Sequence, residues 1–156
     1  MRFSYAALFL TLAFALPSPA SAQGSPQPGS LQAEFTTAAA GGGKHPGDTV
    51  TFTYKQSYLT KTAVEVLKRQ AEWLKAHPTV KVRLECHTDD DFDEAFALSF
   101  GDTRCRAVET VLIKNGVGAG RISALSFGNQ RPAIKNAKTK EEHAENRRVV
   151  TVVMSQ

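Results

Sequence analysis

A chain of 156 residues, 42% hydrophobic and 22% charged, has the balance of one folded domain rather than of a disordered segment. Its net charge of +4 is spread along the chain without a Lys/Arg block and reads as solubility. Neither an RNA-binding aromatic motif nor finger spacing accompanies that charge, so nucleic acid is not an expected partner.

The chain opens on Arg2 and the apolar run "AALFLTLAFAL" (Ala6 to Leu16), followed by Pro17 and "ASA" at Ala20 to Ala22. A basic start, a short apolar stretch and a small-residue cleavage site are the marks of a secretory leader. The apolar run falls short of the roughly 20 residues a membrane span needs. Residues 1–22 are therefore expected to be a signal peptide, with Gln23 first in the mature protein. No cysteine lies near the cut to carry a lipid anchor, and no other stretch is apolar enough to cross a membrane. Residues 23–48 are rich in Gly, Pro, Ser and Ala, with Leu31 and Phe35 their only sizeable apolar side chains. That composition predicts a flexible linker or loosely ordered arm.

"TVTFTY", Thr49 to Tyr54, is β-branched and aromatic and predicts a strand. Thr60 is a plausible N-cap for a helix carrying Val64, Leu67, Ala71 and Leu74 on one face, stopped by His77-Pro78. "VKVRLECH", Val80 to His87, alternates cleanly and predicts a half-covered strand. The acidic loop of Asp89, Asp90, Asp91, Asp93 and Glu94 follows. A second helix is expected from about Glu94 to Lys114, ending at Asn115-Gly116. Strands are expected at Arg121 to Gly128 and Arg147 to Met154, with a short helix between them near Lys140 to Glu145. The order β-α-β-α-β-(α)-β predicts an α+β domain over 49–156, with two main helices on one face of a mixed four-stranded sheet.

On a helical wheel with Phe100 at zero, Arg104 falls at about 40°, inside the apolar arc of Ala107, Val111 and Val108. A snorkelling stem is one explanation. The other is a buried guanidinium that needs an acid, and Asp89, at the strand end, is the best-fixed acid nearby. An acid and an arginine side by side, partly open to solvent, form a receptor for a zwitterion. The carboxylate takes an ammonium, and the guanidinium fork takes a carboxylate. Cys86 and Cys105 can pair in an oxidising compartment or fill the core as reduced thiols, and spacing does not choose.

Asp89, Asp91 and Asp93 fail as a calcium loop, because Glu94 and Phe100 stand at the glycine and closing-glutamate positions. His87 has no second histidine at metal spacing, so no metal and no cofactor are expected. With no activated nucleophile or separated carboxylate pair, the chain is not read as an enzyme.

Four stretches together resemble the OmpA-like domain shared by OmpA C-terminal domains, the peptidoglycan-associated lipoprotein and MotB-type proteins. They are "HTD" (His87 to Asp89), "FGDTRCRAVETVL" (Phe100 to Leu112), "GVGAGRISALSFGNQRP" (Gly116 to Pro132) and "NRRVVTVV" (Asn146 to Val153). The resemblance implies a periplasmic domain that binds peptidoglycan non-covalently. In that family the "HTD" aspartate and the helix arginine, here Asp89 and Arg104, hold the amino and carboxyl groups of diaminopimelate in the stem peptide. It also places Thr88, Asn146 and Arg147 around the pocket. The chain departs from the family at Cys86 (usually glycine), Ala97 (usually a pocket asparagine), Lys55 (commonly Asp or Asn) and Cys105 (usually alanine). Two unusual cysteines flanking the pocket favour a Cys86–Cys105 disulfide. Ala97 and Lys55 favour an alternative, a degenerate module that binds another envelope protein without binding the wall.

Overall fold

The computed structural model describes residues 30–41 and 44–154. The leader reading for 1–22 lies outside them. In chain order the elements are α1 (Leu31–Ala39), β1 (Thr49–Thr51), α2 (Lys61–Ala76), β2 (Lys81–His87) and α3 (Glu94–Lys114). After a short 3-10 turn at Ala119–Arg121 come β3 (Ile122–Gly128), α4 (Lys140–Asn146) and β4 (Arg148–Met154).

The strands form one mixed sheet in the order β1-β4-β2-β3. β4 runs antiparallel to both β1 and β2, and β2 runs parallel to β3. The alternation of β2 sends Val82, Leu84 and Cys86 into the core, while Lys81, Arg83 and Glu85 face outward. α2 begins at Thr60, whose hydroxyl accepts from the Ala63 N–H. It lays Leu67, Ala71 and Leu74 on the same core. α3 is capped by Asp93 and runs over the residues expected.

The loosely ordered arm is corrected over Leu31–Ala39, which is a helix. Ser30 caps it through a hydrogen bond from the Ala33 N–H, and Leu31 and Phe35, four residues apart, fall on one face. Phe35 is fully buried edge-on against Trp73 at 5.2 Å, so two apolar residues suffice once a partner helix covers them. Gln32 accepts from the Val153 N–H, which β1 is too short to pair, and donates to Asp48 and to the Thr151 carbonyl. α1 therefore covers the part of the β4 edge left open by β1.

The first expected strand is also shortened, from Thr49–Tyr54 to Thr49–Thr51. The Phe52 N–H still donates to the Arg147 carbonyl at 2.9 Å, and the chain then leaves the sheet toward Lys55, whose φ is 52°.

Candidate functional site

The site forms where β2 ends. The β2–β3 register shifts between Cys86 and His87, so that Cys86 faces Ser126 and His87 faces Gly128. The Thr88 N–H then bonds the Gly128 carbonyl at 2.8 Å, which fixes the chain just before Asp89. Gly128 sits at φ 50°, and a Cβ there would press on Ala97 at 3.1 Å. Ala97 is thus packed against β3 and does not line the cavity, so it does not remove a cavity wall.

A cavity of about 720 Å³ opens beside this strand end. Phe52, Tyr54, Asp89 and Arg147 wall one part of it, and Asp91, Lys140 and His143 another. Asp89 is nearly fully buried, and its Oδ2 accepts from Arg147 Nη1 at 2.8 Å. Arg147 is held further by donating from Nε to the Phe52 carbonyl at 3.1 Å. His143 Nδ1 lies 2.9 Å from Asp90 Oδ1 across the rim, an ion pair when the ring is protonated.

Arg104 is 0% exposed, the largest fully buried side chain described. Its guanidinium lies between the rings of Phe100 and Phe52, 4.7 and 5.1 Å from their centres. Nε donates to the Gln56 carbonyl at 3.1 Å and Nη1 to the His87 carbonyl at 3.2 Å. Nη2 is buried without a hydrogen-bond partner. Burial pulls the group down to about 10, opposed by the Asp89 carboxylate, so it stays charged at neutral pH.

The expectation that Arg104 pairs with Asp89 is therefore corrected. Arg147 is the partner of Asp89, and Arg104 rests on two carbonyls and two aromatic faces. Carbonyl acceptors and ring faces satisfy part of a guanidinium without a second carboxylate. Of the other site residues singled out, Thr88 is buried with its hydroxyl unpartnered. Asn146 is committed elsewhere: its amide accepts from the Ile134 N–H and donates to the Ile134 carbonyl. Asn146 thus clamps the loop before α4 and does not face the cavity. Cys86 and Cys105 are joined in a disulfide.

Sequence reasoning missed Phe52, Tyr54 and His143 as cavity residues. Phe52 and Tyr54 stand two apart in the stretch expected as the first strand, a spacing that puts both on one side of a strand, but spacing alone does not tell a core face from a cavity face. His143 gives no signal outside the folded arrangement.

The OmpA family model matches residues 51–147. The peptidoglycan-associated lipoprotein of Brucella melitensis is 33% identical over 131 residues, covering 83% of this chain and 72% of that one. The lipoprotein of the same name from Legionella pneumophila is 32% identical over 117 residues, covering 69% and 66%. The crystal structure of the peptidoglycan-associated lipoprotein from Burkholderia pseudomallei superposes with a TM-score of 0.66 at 26% identity, covering 69% of this chain and 90% of that one. The C-terminal domain of Helicobacter pylori MotB shares the fold, with a TM-score of 0.65 at 23% identity over 70% of this chain and 85% of that one.

Proposed function

Because this chain belongs to the OmpA family, we propose that it binds peptidoglycan non-covalently in the periplasm and helps to anchor or organise the cell envelope. The ligand group is the amino-acid head of diaminopimelate in the stem peptide. Asp89, on the cavity wall, takes its ammonium. The carboxylate goes to the guanidinium pair, with the spare Nη2 of Arg104 as the deep donor and Arg147 as the outer one. One observation carries this reading: a fully buried guanidinium, set behind the cavity wall and not lining it, keeps a nitrogen without a partner near a carboxylate that does line the cavity. An unpartnered buried donor is costly, and a ligand carboxylate removes that cost. The role is binding, with no chemical step.

A second reading, docking of another envelope protein in place of the wall, draws on Lys55. Its ammonium is held above the ordinary lysine range, first by Tyr54 and then by Asp91 and Asp89. A resident cation therefore sits in the field of the acid that must receive the ligand's ammonium.

Sedimentation with purified diaminopimelate-type sacculi separates the two. Wall binding predicts that the wild type pellets and that Asp89→Ala and Arg104→Ala stay in the supernatant. A wild type that stays in the supernatant removes the wall-binding reading.

A further inference from the structure

Cys86 and Cys105 tie β2 to α3, with their Cα atoms 5.7 Å apart and both side chains fully buried. Each is a chain neighbour of a group at the site. Cys105 follows Arg104 on the helix. Cys86 precedes His87, whose carbonyl accepts from Arg104 Nη1, and Asp89 lies two residues beyond. Disulfide, backbone and Arg104 side chain thus close one small ring.

Arg104 needs such a fixture. Among the described residues no carboxylate lies within ion-pair distance of it, and its remaining hydrogen bond goes to Gln56, in the irregular segment after β1. A buried guanidinium without a salt bridge gains hydration by moving outward, so only the scaffold keeps it in place. One turn before Cys105 the helix presents Gly101, where a Cβ would run into the Ser126 hydroxyl, so small residues let helix and sheet approach but supply no side chain that locks their spacing at Arg104. A covalent link next to Arg104 sets that spacing directly.

We infer that the Cys86–Cys105 disulfide is a positioning device for ligand recognition, holding Arg104 buried in the field of Asp89 with one nitrogen left for the ligand. The ligand in this inference rests on the wall-binding reading above; the geometry rests on the fold alone.

The test uses the chain expressed with its own N-terminus and purified as the cell processes it. Two double variants are compared with it: Cys86→Ala/Cys105→Ala, and Cys86→Val/Cys105→Ala, which keeps more of the volume filled without the bond. Three quantities are read: far-ultraviolet circular dichroism, the Arg104 side-chain Nε–H resonance, and affinity for a soluble muropeptide carrying diaminopimelate. The resonance is assigned by its loss in Arg104→Lys. Positioning predicts that both variants fold, that the Arg104 signal loses its slow exchange with water, and that affinity falls about tenfold in both. If either folded variant keeps the wild-type signal and affinity, whatever its melting temperature, the bridge only stabilises and the inference is overturned. Loss of the fold in both variants overturns it equally. If the wild type does not bind the muropeptide but the Arg104 signal still depends on the bridge, positioning stands and the wall-binding reading falls.

Discussion

Lys55 sits at φ 52°, in the left-handed region that a long side chain occupies at a cost of about 1–2 kcal/mol relative to glycine-like freedom. Asparagine tolerates this conformation better than most residues. Lys55→Asn is therefore expected to raise unfolding stability by about 0.5–1 kcal/mol, measured by urea titration. No gain would mean that the lysine stem, packed by its ammonium over the Tyr54 ring, offsets the strain. His87 gives a pH signature. Burial first, then the Arg148 and Arg131 charges, push its ring down to about 3. The unfolded chain takes up that proton near pH 6.5 and the native state only near 3, so stability is lost as pH falls through this window. Denaturation at pH 7, 5 and 4 is expected to show a steeper loss for the wild type than for His87→Asn; parallel curves would contradict the assignment. At this scale the sequence was legible in part. Arg104 stood out on the wheel because a charge lay within an apolar arc. Its true contacts did not, since carbonyls and ring faces leave no mark in residue spacing, and neither does the claim of Arg147 on Asp89.

α1 is the element that composition hid. Alanine, glycine and proline around it lowered its apparent order, and two apolar residues four apart were too few to signal a helix against that background. Phe35→Ala empties a fully buried site against Trp73 and is expected to destabilise the protein by about 3–5 kcal/mol. A cost under about 1 kcal/mol in thermal or urea unfolding would show that α1 packs only loosely on the domain. α2 was readable because its cap and stop are local, Thr60 bonding an N–H three residues on, and α3 because its stop at Asn115-Gly116 is; the cap of α3, Asp93, was hidden in the acidic loop. The buried face of α3 was less readable. It includes Ala97, Gly101 and Cys105, small residues that let the helix lie close to the sheet and weigh little on any hydrophobic scale.

Across the whole molecule, the order of strands and helices was legible, and with it a mixed sheet backed by helices on one face. Alternating periodicities of two and 3.6 residues carry that information directly. The cavity was not legible, because it joins the end of β1, the end of β2, α4 and the start of β4, which are distant in the chain. Among the described residues no helix is long and apolar enough to cross a membrane, and the proposed hold on the envelope is the wall itself. The central claim is that Asp89, Arg104 and Arg147 together read an ammonium and a carboxylate on one carbon. Lysine has the ammonium of diaminopimelate at that position without the carboxylate. Nuclear magnetic resonance titration with matched stem tetrapeptides carrying one or the other tests the claim most directly. The account predicts that the diaminopimelate peptide binds at least tenfold more tightly and shifts the Arg104 side-chain and Asp89 backbone resonances. Equal affinity for the two peptides, or shifts that bypass Arg104 and Asp89, would contradict it.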